Sequence, residues 1–470
     1  MISRALLPVS ILIGFAFAPG CDSEPLAAPQ STKPAAPGPT APRLRLRISG
    51  NLEGYLMPCG CASGQLGGLA RRVFRHKLDQ RNIDLFLEGG NLLKQSDELG
   101  ESKLMAILEI LENNGYHGMG VGAKDLQVDP ELLAGLLSFY PRLPALSADL
   151  RLANGEPWLL EGKPVVRSYQ EHKLDHVTVR LSSLTMSLPK GERSKNFKLA
   201  DPVAAWQQAM RGVADNTYRV LMVHADRDAI KALELAPKPD LIIGVNHDYV
   251  EPKNKADKAN GVPLVYTGVH GRVLLDLTLA RGPDGPMLTR IKLVPLKGSS
   301  TAPDAMRDKD ASAVILGHRQ TVKEDNLLAR LAGRKELSGG LAYVGGAACA
   351  DCHEEDSETC AKHAHSHAWK TLIDAQDKEG WPVTHYPECV SCHVVGYGYK
   401  SGFLSPKETP ELLNVTCENC HGPGSKHVAS DGDEPMQKVE VKTCTICHNF
   451  EHSPKFDYSK FWEMIKHGDK

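Results

Sequence analysis

The chain has 470 residues, with 55 lysines and arginines against 57 aspartates and glutamates, and a formal net charge of −2. Because the charges are balanced and mixed, nucleic acid is excluded as an expected partner. The length is too great for one hydrophobic core and predicts two or three domains. The 12 cysteines and 19 histidines are the unusual part of the composition, and eleven of those histidines follow residue 340.

The N-terminus, residues 1–21, has the pattern of an export signal. Arg4 precedes an apolar run that is too short to span a bilayer comfortably, and Gly20-Cys21 follows it. The Gly-Cys pair resembles a bacterial lipobox, which predicts a lipoprotein anchored to a membrane through Cys21. The alternative is an ordinary secretory peptide whose cysteine is discarded. Both interpretations place the protein in the bacterial cell envelope, facing the periplasm or the outer surface.

Residues 22–42 are rich in Ala, Pro, Ser and Thr and predict an extended tether. Residues 43–298 then alternate short apolar runs with helical periodicity, which predicts an α/β sandwich with functional loops at the strand ends. The predicted strands are Arg43–Ser49, Ile83–Leu87, Arg219–His224, Asp240–Ile243, Leu264–Thr267 and Val273–Leu279. A helix is predicted over Ser102–Asn113.

The strand-end loops of this domain carry a recognisable series of motifs. In chain order they are Asn51-Leu52-Glu53, Gly90-Asn91, Gly122-Ala123-Lys124-Asp125, His224 and Val245-Asn246-His247-Asp248. Their order resembles that of the 5′-nucleotidase-like metallophosphoesterases. The resemblance implies the α/β sandwich of that family and a site where two divalent metals activate water.

Most metal ligands of that family are replaced in this chain. The resemblance places Asn51 and Asn91 at aspartate positions, Glu53 and Lys124 at histidine positions, and Ala123 at an asparagine position. Only His224 is unchanged, with Asp248 as a substitute for a histidine. We therefore expect the fold without phosphoesterase chemistry, and His224 and His247 as polar residues that bind no metal. Residual phosphoester hydrolysis is the alternative.

Cys59 and Cys61 form a second unusual feature of this domain. Two thiols at positions i and i+2, joined by a glycine, can face one pocket and hold a soft metal or act as a redox pair. The alternative is a local structural disulfide or two buried thiols. Residues 299–340 then predict a helical connector, with one helix from Asp310 to about Leu331 that packs one domain on the other.

The pentapeptide Cys-x-x-Cys-His occurs four times in residues 341–470, and we number these copies the first to the fourth motif. Their cysteines are Cys349, Cys352, Cys389, Cys392, Cys417, Cys420, Cys444 and Cys447, and their histidines are His353, His393, His421 and His448. Paired thiols with a following histidine are typical of c-type haem attachment, in which the imidazole is the proximal iron ligand. Zinc ribbons and paired disulfides need the cysteines but not the histidine. The region is predicted to be a mainly helical, loop-rich domain with four c-type haems.

The flanks of these motifs also have a family pattern. The stretches are Tyr343-Val344-Gly345, His365-Ser366-His367-Ala368-Trp369, Cys389 to Gly396, Val415 to His427, and Trp462 to Gly468. They resemble the tetrahaem cytochromes of nitrifying bacteria that accept electrons from hydroxylamine oxidoreductase. The resemblance implies closely stacked haems with distal iron ligands at His365, His427 and His467. His385 is the candidate for the fourth iron, unless that iron is open, and His363, His367 and His452 are expected not to bind iron.

Two functions remain open at the level of sequence. The first is an exported electron-transfer protein, in which the α/β domain is a non-catalytic scaffold or docking module. Its expected partners are redox proteins or membrane quinol-linked electron-transfer proteins. The alternative is a redox enzyme that acts on a small nitrogen or sulfur compound at an open haem or at Cys59 and Cys61.

Overall fold

The structure is a computed structural model that describes residues 42–58, 66–245, 251–283, 285–298, 306–449 and 452–467. The strands are, in chain order, β1 (Arg43–Ser49), β2 (Leu85–Glu88), β3 (Gly118–Gly120), β4 (Ala145–Leu146), β5 (Leu150–Leu152), β6 (Leu159–Leu160), β7 (Lys163–Pro164), β8 (Tyr169–Lys173), β9 (Thr178–Leu184), β10 (Phe197–Leu199), β11 (Thr217–Val223), β12 (Leu241–Gly244), β13 (Asp257–Ala259), β14 (Val262–Tyr266), β15 (Val273–Gly282) and β16 (Gly285–Pro295).

The helices are, in chain order, α1 (Leu69–Asp79), α2 (Glu98–Asn113), α3 (Pro130–Phe139), α4 (Pro202–Ala209), α5 (Arg227–Ala232), α6 (Lys309–Glu324), α7 (Leu327–Leu331), α8 (Gly346–Ala350), α9 (Glu354–Ala361), α10 (Ala368–Glu379), α11 (Pro387–Val390), α12 (Cys417–His421), α13 (Ser425–Ala429), α14 (Val441–Thr445) and α15 (Tyr458–Ile465). Within the described segments, no helix is both apolar enough and long enough to cross a bilayer.

Two six-stranded sheets form the N-terminal domain. One has the order β16-β15-β1-β2-β3-β4 and the other the order β13-β14-β12-β11-β9-β8. The inner strands β1 to β4 are parallel, and so are β9, β11, β12 and β14. Because carboxyl ends of parallel strands meet at one edge, the loops after these strands lie together.

The two sheets pack face to face through apolar side chains. Leu46 and Leu87 from the first sheet share a core with Leu181, Val220 and Ile243 from the second. In β1 the apolar residues alternate with arginines, as expected for a strand with one face in the core. Helices cover the outer faces, α1 to α3 on the first sheet and α4 and α5 on the second. The predicted α/β sandwich is confirmed.

The connector differs from the single helix that was predicted. Helix α6 ends at Glu324, Asn326 adopts a left-handed conformation with φ 49° and ψ 43°, and α7 begins at Leu327. An asparagine tolerates this conformation better than most residues, so the apolar periodicity continues across a break in the backbone. The prediction of one continuous helix to Leu331 was wrong.

The C-terminal region is built from short helices and long loops, as predicted. Its apolar core is small and lies around α10 and α11, with Leu372, Val390, Val394 and Phe403 at its centre. Helices α12 to α15 bury a single residue, Glu418, between them. Polypeptide with so little buried apolar surface does not form a stable core by itself.

Candidate functional site

Three pairs of imidazole rings lie close together among the described residues of the C-terminal region. The ring centroids of His353 and His427 are 6.2 Å apart, with their planes at 23°. The centroids of His365 and His448 are 5.9 Å apart with planes at 46°, and those of His421 and His467 are 5.9 Å apart with planes at 60°. Each pair joins a histidine of one motif to one of the candidate distal ligands.

This spacing fits an iron ion between the two rings. Metal–imidazole bonds are about 2 Å long, and adding the distance from each nitrogen to its ring centre places two such rings roughly 6 Å apart. The pairs therefore fit a haem whose iron is held from both sides. The first motif pairs with His427, the third with His467 and the fourth with His365.

Several of these rings are also oriented by a second hydrogen bond. Nδ1 of His427 donates to the carbonyl oxygen of Glu434 at 2.7 Å, and Nδ1 of His467 donates to that of Ile465 at 2.9 Å. Nδ1 of His448 hydrogen-bonds to Oγ of Ser453 at 2.9 Å. Histidines that bind metals are commonly fixed through the other ring nitrogen in this way, which leaves Nε2 as the ligand atom.

His393 of the second motif has a different environment. Its Nδ1 donates to the carbonyl oxygen of Ala368 at 2.6 Å. Burial lowers its pKa, and the nearby His452 lowers the pKa further. His385 instead lies beside Thr384, with Nδ1 3.1 Å from its Oγ1, and within the described residues its ring does not contact His393. The structure does not bring together the predicted pair, and His452, which was expected not to bind iron, is the imidazole close to His393.

The cysteines of different motifs lie side by side. All nine described cysteines are free thiols. The Cys349 thiol hydrogen-bonds to that of Cys417, which raises the pKa of Cys349. The Cys392 thiol also forms a hydrogen bond, with the thiol of Cys447. Burial raises the pKa of Cys420 to about 11, and its first neighbouring thiol is Cys444. The motifs are therefore neighbours in the order first, third, fourth, second.

Two residues inside the third motif fix its position, and one of them, Glu418, holds it against the segment before the first motif. The buried Glu418 carboxylate accepts hydrogen bonds from the backbone amides of Val344 at 3.0 Å, Gly345 at 2.8 Å and Gly424 at 2.8 Å. Asn419 closes a capping box with Thr416 at the start of α12. Sequence reasoning treated both positions as unspecified spacers and missed their roles.

The strand-end loops of the N-terminal domain converge as predicted, and we call them the strand-end site. The Asn91 amide donates to Oδ1 of Asn51 at 2.9 Å, and Oδ1 of Asn91 accepts from the backbone of Lys124 at 3.2 Å. Asp125 accepts from the backbone amides of Leu92 at 2.6 Å and Gly122 at 2.9 Å. Burial raises the pKa of Asp125 to about 6, against the effect of these amides.

A cation from the chain lies in the strand-end site. The Lys124 ammonium is 2.7 Å from Oε1 of Glu53, and Nε2 of His270 is 3.5 Å from Oε2 of the same carboxylate. Burial alone would raise the pKa of Glu53, but hydrogen bonds from His270 and Lys124 outweigh it and lower the pKa. The His270 ring stacks on Tyr55 with centroids 4.0 Å apart.

The composition of this site does not suit a two-metal centre. Among the described residues, no group of three or more His, Cys, Asp and Glu side chains could hold a metal ion. His224 is fully buried and packed so closely that a Cβ on Gly120 would lie 2.6 Å from its Nε2. Sequence reasoning missed His270, although it follows a predicted strand end in the same manner as the other loops.

Some predicted site residues lie outside the described residues. These are Cys21, the pair Cys59 and Cys61, and His247 with Asp248. The lipid anchor at Cys21, and the metal or redox role of Cys59 and Cys61, stay predictions.

In the comparisons with known proteins, the two parts of the chain are similar to different proteins. A protein-family model described as cytochrome c554 and c-prime matches residues 348–422. The C-terminal region resembles the cytochrome c554 family. Cytochrome c-554 of Nitrosomonas europaea is 28% identical over 149 residues, which cover 26% of this chain and 63% of that relative. The chain thus spans less than two thirds of the relative's length. The cytochrome c554-like region implies c-type haem with iron, and the predicted resemblance is confirmed.

Solved structures similar to the chain include two nucleotidases and a calcineurin-like phosphoesterase. The NAD nucleotidase of Haemophilus influenzae is 17% identical with a TM-score of 0.49, and 65% of this chain covers 64% of it. The 5′-nucleotidase precursor of Thermus thermophilus is 19% identical with a TM-score of 0.49, and 65% of this chain covers 63% of it. A calcineurin-like phosphoesterase of Bacillus subtilis is 14% identical with a TM-score of 0.44, and 61% of this chain covers 99% of it.

Proposed function

We propose that the chain is an exported c-type cytochrome that carries four haems and transfers single electrons. The observation that carries this proposal is the spacing of the three imidazole pairs, each made of one motif histidine and one distant histidine. When bound, the haems supply reversible one-electron chemistry at iron. The chain would supply four thiol pairs for covalent attachment, and the three imidazole pairs would hold the iron of three haems.

The neighbouring cysteines support a continuous array. In this proposal the four attachment points form a row. The contacts of Cys349 with Cys417 and of Cys392 with Cys447, and the proximity of Cys420 to Cys444, support this arrangement. The first motif lies at one end of the row and the second at the other. An array with two ends suits a protein that receives electrons from one redox partner and delivers them to another.

The N-terminal domain has a scaffolding role in this proposal. Its strand-end site contains an ion pair between Lys124 and Glu53 where a metal centre would need ligands. In this proposal the protein lies in the bacterial envelope and is anchored by lipid at Cys21. Its partners are other redox proteins, including membrane proteins that oxidise quinols.

Electron paramagnetic resonance of the oxidised full-length protein tests the ligand assignment. In protein made by a host that attaches c-type haem, we expect predominantly low-spin iron. His365→Ala, His427→Ala and His467→Ala should each convert one iron to the high-spin state, because each removes one axial imidazole. The matched control is His367→Ala, an exposed histidine of the same region. A control that behaves like the three variants, or variants that all stay low-spin, would contradict the assignment.

A redox enzyme is the second candidate, and the environment of His393 favours it. His393 is not part of a facing ring pair among the described residues, so an iron bound there could keep one position open. An enzyme of this kind would show high-spin iron that binds cyanide or nitric oxide in the unaltered protein. A carrier with His452 as the fourth distal ligand would bind neither, and His452→Ala would create the binding site.

A further inference from the structure

The second motif lies at the boundary between the cytochrome c554-like region and the rest of the chain. Lys103 of α2 extends from the N-terminal domain, and its ammonium is 2.5 Å from Oε1 of Glu388, the residue before Cys389. The same ammonium is 5.7 Å from the ring centroid of Tyr386. Helix α11, which carries Cys389, thus begins against a lysine of another domain.

The loop after β1, which belongs to the strand-end site, lies against the side chain of Lys103. A Cβ on Gly54, the residue after Glu53, would lie 3.3 Å from Cδ and 3.5 Å from Nζ of Lys103. The backbone of Gly54 is fixed in turn by a hydrogen bond to the carbonyl oxygen of Leu92. The loop after β1, which in metallophosphoesterases binds metal, therefore lies over Lys103. The ammonium of Lys103 faces the second motif.

A further cation from outside the haem region lies near this motif. The Arg319 guanidinium of α6 lies 3.1 Å from the ring centroid of Trp381 and 5.4 Å from that of Tyr386. Tyr386 directly precedes α11, which carries Cys389.

The negative charges at this boundary are either screened by water or paired with other residues. The side chain of Glu388 is 54% exposed, whereas that of Lys103 is 6% exposed, so water screens the carboxylate far more than the ammonium. Glu98 is held by Arg330 and Arg334. His318 lies between α2 and Tyr386, and burial lowers its pKa to about 4, which keeps it neutral.

The first motif, at the other end of the row, has negatively charged side chains around it. Asp351, Glu354, Glu355 and Glu358 lie in or beside it and are exposed, and Asp356 is half-buried. A positive charge held in a poorly solvated environment stabilises the reduced form of a nearby redox centre, and a negative charge stabilises the oxidised form. The two ends of the array therefore differ in the charge that the chain places around them.

We propose that Lys103 of the N-terminal domain, with Arg319 of the connector, raises the reduction potential of the haem attached at Cys389 and Cys392. Electrons that enter the array elsewhere then collect at the second motif, and the loop after β1 packs against the charge that raises its potential. This inference rests on the proposed function, because it requires haem at the second motif.

The test is a spectroelectrochemical titration of the full-length protein with its haems attached. Lys103→Met should lower one of the four midpoint potentials by about 59 mV, equivalent to a tenfold fall in the one-electron reduction equilibrium constant. Arg319→Met, which removes the second positive charge, should also lower the same component. Lys103→Arg keeps the charge and should leave the potential unchanged. The distant exposed Lys195→Met is the matched control.

The component that shifts is identified with His393→Met, because replacing an axial histidine by methionine raises the potential of that iron. The proposal is supported if the component raised by His393→Met is the one lowered by Lys103→Met and Arg319→Met. It is overturned if no potential moves in these two charge-removing variants, or if a different component moves. Protein without attached haem would overturn both this inference and the proposed function, whereas four unshifted components would overturn this inference alone.

Discussion

Glu418 occupies a position that the Cys-x-x-Cys-His pattern leaves unspecified, and yet it is the buried residue of α12. Its carboxylate accepts hydrogen bonds from backbone amides that precede the first motif and follow the third. Hydrogen bonds to a charged group contribute about 1.5–3 kcal/mol each, and a buried amide left without a partner is costly. A single side chain thus fixes the approach of two haem-attachment motifs.

We predict that Glu418→Ala lowers the free energy of unfolding of the haem-loaded protein by about 3 kcal/mol or more, since three backbone amides lose a charged acceptor. Glu418→Gln retains one oxygen acceptor and should lose less. Denaturant titration followed by circular dichroism measures both effects. The control is Glu358→Ala, which removes an exposed carboxylate near the first motif. Equal midpoints for Glu418→Ala and the control would refute the structural role of Glu418.

A second single residue, Lys124, determines whether the strand-end site can bind a metal ion. Its ammonium is paired with Glu53, so a metal ion entering the site would meet a positive charge and too few carboxylates. We predict no phosphoester hydrolysis above background with added manganese, and no change in His224→Ala. Metal-dependent hydrolysis that disappears in His224→Ala would show that the domain is a functional phosphoesterase.

At the level of elements, α6 joins the two parts of the chain through one buried histidine. Nδ1 of His318 is 3.0 Å from Oγ of Ser102 in α2, and its Nε2 is 3.2 Å from Oη of Tyr386 before α11. Burial, with repulsion from Lys103 and Arg319, lowers the pKa of His318 to about 4. A neutral imidazole is therefore one of the contacts between the domains, beside the ion pair of Lys103 with Glu388.

We predict that the free energy of unfolding falls as the pH is lowered from about 6.5 to about 4. The unfolded chain binds a proton on His318 below its ordinary pKa of 6.5, but the folded chain binds it only below about 4. This difference corresponds to at most about 3 kcal/mol. Denaturant midpoints across this pH range should fall less steeply in His318→Gln than in the unaltered protein. The same slope in both, with His367→Gln as the exposed control, would contradict the prediction.

The elements also show what sequence patterns can and cannot predict. The alternation of Leu44, Leu46 and Ile48 with arginines fixes β1 to its observed bounds, because one face must be apolar. The apolar spacing in the connector predicts its helical content but not the break at Asn326, which depends on one backbone conformation. Three distal candidates come from motif flanks, whereas the position of His452 beside His393 depends on how distant loops pack.

At the scale of the whole molecule, the two parts differ in how they are stabilised. The N-terminal sandwich has apolar cores between its sheets and under its helices. The last four helices of the C-terminal region bury only Glu418. These helices therefore need another source of buried apolar surface, and we propose that covalently bound porphyrin supplies it, since bound metals stabilise other small domains.

The central claim is that haem is covalently attached at all four motifs. The most direct measurement is the intact mass of the mature full-length protein, made in a host that attaches c-type haem, with the visible spectrum of the same sample. The account predicts a mass that exceeds the polypeptide by four haems, together with the absorption bands of c-type haem. A colourless protein with the mass of the bare polypeptide would contradict the account, and so would one that carries fewer than four haems.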